Sequence, residues 1–252
     1  MSSNEQLSET NTEARFEFKK DEASAFKSEK GLDEETIRVI SEDKDEPDWM
    51  LQRRLRALKQ FQQMPMPDWS ESPDLSEVDV SEIVPYIRPD IETRGGVDDW
   101  TDLPDDIKDT FDKLGIPEAE KNALSGVGAQ YESEIVYQNM QDQWEEKGVI
   151  FCDMDKAVQE HEEIVKEYFM TKAVPPSDNK FAALHGAIWS GGSFVYVPEN
   201  TKVEMPIQAY FRMNSEGMGQ FEHTLIIAEE GSEVHYIEGC SAPKYSEFNL
   251  HS

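Results

Sequence analysis

Basic side chains are scarce in this chain: 24 Lys and Arg face 53 Asp and Glu, and the formal net charge is −29. Nucleic-acid binding needs clustered cations to neutralise phosphates, so that partner class is excluded. Cysteine is scarcer still. Cys152 and Cys240 are the only two, too few for a disulfide framework and compatible with a reducing compartment. Long apolar runs are missing, and the opening MSSNEQLSETNTEAR has no apolar signal core. The expectation is a cytoplasmic protein with no membrane partner. Neither GxxxxGK[ST] nor GxGxxG occurs, which argues against a nucleotide site. The GAIWSGGS stretch lacks the GxSxG nucleophile elbow, and His161-Glu-Glu lacks the second histidine of HExxH.

What is abundant is negative charge. Such a chain repels itself in dilute buffer, where the screening length is about 8 Å, but far less near 1 M salt, where it falls to roughly 3 Å. The acidic surplus is therefore read as an adaptation to a salt-rich cytoplasm.

Along the chain, residues 1–31 are polar with scattered aromatics and are expected to form a disordered arm. After EPDW, Leu51, Leu55, Leu58 and Phe61 recur at helical spacing, and Pro47 and Asp48 suit a helix start. Arg53, Arg54, Arg56 and Lys59 on that helix read as a solvated face. The prolines of MPMPDW end it, and residues 70 to 100 look irregular. Helices are expected from Pro104 to Gly115, over 117 to 124, 132 to 147 and 153 to 170. From Phe181 onward the period turns to alternation, the mark of β-structure. In KVEMPIQAYFRMN the odd positions from Val203 to Met213 are apolar, so Arg212 and Asn214 share the polar face. The same parity puts Val234, Tyr236, Glu238 and Cys240 together. The units expected are 1–31 as arm, 32–176 as a mainly helical domain and 177–252 as the start of a β core.

Chemistry concentrates on Cys240, at a strand end beside Gly239, a residue that lets a ligand or backbone come close. Thiolate is the reactive form, and Arg212 on a neighbouring strand would stabilise it if the two met. Cys152, between an apolar run and a helix, reads as packing. The histidines show no standard metal spacing, so no metal ligand is assigned. His223, His235, Cys240 and His251 meet only if tertiary structure brings them together.

Four stretches, EPDWMLQRRLRALKQFQQMPMPDW, GVIFCDMDKAVQEHEEIVKEYF, FVYVPENTKVEMPIQAYFRMN and GQFEHTLIIAEEGSEVHYIEGCSAPKY, together resemble the SufB family of iron–sulfur cluster assembly scaffolds. They cover most of residues 33 to 252. The resemblance implies an α+β fold: a helical N-terminal region followed by a right-handed parallel β-helix core, incomplete at the C-terminus because the chain stops within it. It implies a scaffold that is not itself an enzyme. Its partners would be a SufD-like paralogue, a SufC-like ATPase and a cysteine desulfurase that delivers sulfur as persulfide.

By motif match, Cys240 in EGCSAP resembles the family's sulfur acceptor, and Arg212 and Asn214 in FRMN resemble its sulfur path. A transient iron–sulfur cluster is the cargo, and the remaining cluster residues are expected past residue 252. Two other readings stay open: a metal-dependent β-fold enzyme of cupin type using His223, His235 and Cys240, and a non-catalytic interaction module.

Overall fold

In the computed structural model the described residues are 24–69, 75, 78–90, 96–114, 124–243 and 249–251. Most of the expected disordered arm and of the helix expected over 117 to 124 lies outside them. Within the arm, Ser24–Lys27 is a strand, β1, paired antiparallel with β2, Ile87–Pro89.

Asp33 caps the first helix, α1 (Glu34–Asp43), by accepting a hydrogen bond from the Thr36 amide at 2.8 Å. Ile37 and Ile40 face inward. The next helix, α2 (Asp48–Gln63), carries the expected stripe, with Leu51, Leu55, Leu58 and Phe61 in one core cluster.

The arginines of α2 are not all solvated, contrary to the sequence expectation. Arg54 is fully buried, and Glu46 receives its Nε at 2.8 Å and its Nη2 at 2.6 Å. Its guanidinium lies 4.6 Å from the Trp189 ring centre. Arg53 donates to the carbonyls of Phe169 and Lys166 at 2.8 and 2.7 Å. A planar fork of donors suits such buried and helix-end positions.

The helix α3 (Asp105–Leu114) forms as expected. The region expected as a helix over 132 to 147 instead folds into a hairpin of β3 (Gly126–Tyr131) and β4 (Glu134–Met140), followed by one short helix, α4 (Asp142–Glu145). Glu132, at φ 55°, makes the turn. Ile135, Val136 and Tyr137 are all buried, so the strand lacks the alternation that would have marked it.

Strand β5 (Ile150–Asp153) leads to α5 (Met154–Glu160) and α6 (Glu162–Tyr168). His161 breaks what the sequence reads as one helix. Phe181 onward was expected to alternate, yet Lys180–Ile188 is a helix, α7, capped by Asn179 through the amides of Phe181 and Ala182. Its small residues explain the miss. A Cβ on Gly186 would lie 3.1 Å from that of Ala57, so α7 presses directly on α2, and a helix buried nearly all round shows no amphipathic period.

The β-structure then forms as expected. In order, β6 (Ser193–Val197), β7 (Ile207–Arg212) and β8 (Gly219–Gln220) are followed by β9 (Leu225–Ala228), β10 (Tyr236–Ser241) and β11 (Leu250–His251). Each of the second three pairs in parallel with its counterpart. Phe194 lies beside Leu225, Ile207 beside Tyr236 and Gly219 beside Leu250, so the chain returns to its own neighbour after 29 to 31 residues. The sheet orders are β5-β6-β9 and β10-β7-β3-β4. The hairpin from the N-terminal part thus continues the second sheet through β3 and β7.

The molecule is α+β. Gly191 and Gly192 turn α7 into β6 at φ 68° and 101°. A Cβ on Gly192 would meet the His223 carbonyl oxygen at 2.3 Å. Among the described residues no helix is long and apolar enough to cross a membrane.

A buried charge cluster ties α1 to β4 and α5. Lys44 contacts Glu134 at 3.3 Å and also Asp155, and Tyr86 donates to Glu134 at 2.6 Å. Burial pulls the lysine pKa down, but Asp155 and Glu134 outweigh it and hold the ammonium charged.

Candidate functional site

The parallel register of β7 and β10 fixes the surroundings of Cys240. Cys240 pairs with Phe211, and Ser241 with Arg212. Side chains alternate along a strand, so Cys240 and Arg212 occupy opposite faces of the pair. Arg212 is fully buried and Asn214 nearly so. The Arg212 carbonyl accepts from the Glu132 amide at 2.9 Å, and the Asn214 amide donates to Glu132 Oε2 at 3.2 Å. The two expected path residues therefore meet around the β3–β4 turn. Both residues are interior.

Other residues do reach Cys240. The pairing of His251 with Gln220 across β11 and β8 brings the imidazole in, and Glu222 follows two residues after Gln220. The thiol lies 3.9 Å from Glu222 Oε1, and His251 Nε2 is hydrogen-bonded to that same oxygen. A cavity of about 140 Å³ opens here, lined by Met213, Gln220, Cys240, Ser241, Ala242 and His251. Cys240 is exposed, whereas Glu222 is 7% exposed.

Electrostatics follow from that placement. Hydrogen bonds to Cys240 and then to Glu222 push the His251 pKa up to about 10, against the effect of burial, so the ring is an imidazolium. Burial pushes the Glu222 carboxyl up, only partly offset by His251. Gly239 is not what opens the site. A Cβ there would sit 3.6 Å from the Tyr210 ring, an ordinary contact.

The other cysteine behaves as packing. Cys152 is buried among Met50, Met154 and Phe194, and burial, then the charge of Asp153, drives its pKa far up. His223 stays away from Cys240: its Nδ1 is 3.0 Å from His185 Nε2, beneath Phe169 and Trp189. His235 is exposed. The ligand set of the cupin-type alternative is thus not assembled, because His223 is spent on an interior pair. Of the residues that could converge on Cys240, His251 does so, 11 positions after it, whereas Glu222, 18 before it, escaped the sequence reading. The spacing of successive strand runs is the signal that would have found it.

Two family models match adjacent stretches: the SufBD protein N-terminal region over residues 101–209, and the SufBD core domain of the SUF iron–sulfur cluster assembly system over 211–252. Two curated relatives carry the name iron-sulfur cluster assembly SufBD family protein. One is from Staphylococcus saprophyticus and one from Staphylococcus aureus strain MRSA252. Each is 56% identical over 238 residues, covering 94% of this chain and 50% of the relative. The chain spans about half the length of these relatives.

Proposed function

Because the chain belongs to the SufBD family of iron–sulfur cluster assembly proteins, we propose that it serves as a SufB-type scaffold subunit whose Cys240 accepts sulfur. The observation that carries this reading is the contrast between its two thiols. Cys240 is exposed, opens on a cavity and touches the His251 imidazolium, while Cys152 is sealed in the core. An adjacent imidazolium gives negative charge on a reacting sulfur a counter-ion.

In the proposed step the Cys240 sulfur, as thiolate, attacks the terminal sulfur of a donor persulfide. A new S–S bond forms on Cys240, the donor's S–S bond breaks, and the donor leaves as a thiolate. Arg212 and Asn214 take part as positioning residues of the onward sulfur path, through the turn at Glu132. The fold-level part of the reading is a right-handed parallel β-helix, which the parallel return of the chain after 29 to 31 residues supports. A SufD-like paralogue, a SufC-like ATPase and a cysteine desulfurase are the partners, a transient iron–sulfur cluster is the cargo and the cytoplasm is the setting.

The test is mass spectrometry of the protein after incubation with a desulfurase and cysteine. A mass gain of one sulfur on the Cys240 peptide, absent in Cys240→Ser, is expected. An unlabelled Cys240 in folded protein, with the donor itself persulfidated, overturns the assignment. We read the acidic surplus as salt adaptation on the same footing: Tm should rise between 0.1 M and 1 M KCl, and a flat or falling Tm removes that reading.

A further inference from the structure

Glu222, Cys240 and His251 offer a carboxylate oxygen, a sulfur and an imidazole nitrogen that all lie within 4.8 Å of one another. Among the described residues no other such group of three is found. Mixed sulfur, nitrogen and oxygen donors suit a borderline-soft divalent ion and disfavour magnesium or calcium, which take oxygen ligands.

A second observation points the same way. Glu222 is 7% exposed, and its Oε2 is buried without a hydrogen-bond partner. An orphan acceptor on a buried carboxylate is costly, and a cation held by both oxygens of Glu222 would satisfy Oε2 together with Oε1, the oxygen that faces Cys240 and His251. Cys240 and His251 both border the cavity of about 140 Å³, which gives an ion a way in and room for an exogenous ligand.

We propose that Glu222, Cys240 and His251 form a site for one divalent first-row transition-metal cation of the iron(II) or zinc class, with a coordination position left open. The site needs only these three side chains and does not rest on sulfur acceptance. Binding exchanges the thiol proton of Cys240 and the proton held between His251 and Glu222 for the cation. A metal-bound Cys240 sulfur is no longer free to attack a persulfide, so metal and sulfur occupy the site alternately.

Cobalt(II) is the probe, titrated into the reduced, purified protein. The expected result is one equivalent bound, with thiolate-to-cobalt charge-transfer absorption in the near ultraviolet. The band should vanish in Cys240→Ser and persist in Cys152→Ala. Glu222→Gln and His251→Ala should each weaken binding by roughly tenfold or more. Zinc should displace the cobalt and magnesium should not. Absence of the band overturns the proposal, and so does unchanged affinity in His251→Ala and Glu222→Gln, because the thiol would then be acting alone. Near-ultraviolet circular dichroism of each variant shows that it is folded. Persulfide loading of His251→Ala separates the two readings: sulfur uptake with lost cobalt binding supports a distinct metal role. Cobalt binding in a protein that never takes up sulfur would sink the sulfur reading alone.

Discussion

The interior beside α2 and the edge beside β10 hold similar chemical groups under opposite conditions. In the interior Arg54 is held by Glu46, the Ala187 carbonyl and the Trp189 ring. His185 and His223 face each other, and Cys152 is sealed. At the edge an imidazole, a carboxylate and a thiol also gather, but Cys240 is exposed, the carboxylate keeps an orphan oxygen and a cavity adjoins. The lesson is that burial with a charged partner makes reactive groups structural, while an exposed thiol and an unmatched carboxylate oxygen beside a cavity leave chemistry to do.

The contrast breaks most readily at the two thiols. Under native conditions iodoacetamide should modify Cys240 at least on the order of a hundredfold faster than Cys152, because Cys240 is exposed while burial blocks access to Cys152 and suppresses its thiolate. Peptide mapping over time measures the ratio, and comparable rates would erase the distinction.

Next in size are the two carboxylate partnerships. Arg54→Met should cost about 3–5 kcal/mol in denaturant unfolding, since it strands the buried Glu46 charge. Glu222→Gln should stay within about 1 kcal/mol of the parent, because it removes a charge that burial already disfavours. Equal losses would mean that the edge cluster is a structural pairing like the interior one.

The smallest expected effect is a pH dependence seated in the interior. Burial, then the charge of Arg54, lowers the His185 pKa from 6.5 to about 4, and burial, then His185, lowers that of His223 well below its ordinary value. In the unfolded chain both protonate near pH 6.5, whereas the folded chain resists protonation. Their contribution is therefore complete above pH 6.5 and is lost as the pH falls toward 4. About 1–3 kcal/mol should disappear over that window. The loss should shrink in His185→Gln, and an unchanged pH slope in that variant would show that other groups carry it.

Where one face of an element meets solvent, the sequence was readable. The α2 stripe and the burial of Ile207, Ala209 and Phe211 on β7 both follow from periodicity. Elements buried on every side were misread: β4 as a helix through its continuous apolar run, and α7 as strand through its small residues. The α1 helix was overlooked although Asp33 and Thr36 spell its cap. Cys240 stood out by its position after Gly239 at a strand end. For Arg212 and Asn214, alternation alone did not show that both residues are buried. Glu222 was invisible, and the meeting of His251 with Cys240 was open, because both approaches depend on how the strands stack.

The return of the chain to its own side after 29 to 31 residues sets a rule for the heredity of damage. A substitution in one of these strands is felt first by residues about thirty positions away, before it is felt by those ten away in sequence. Compensating changes for a lesion on β7 are to be sought on β10, and for one on β8 on β11. A linear scan of tolerated substitutions through this part of the chain should therefore carry an echo at that interval. Insertions between strands would keep the pairing and lengthen the interval by the residues added, whereas an insertion of one residue within a strand would shift every partner after it to the wrong face.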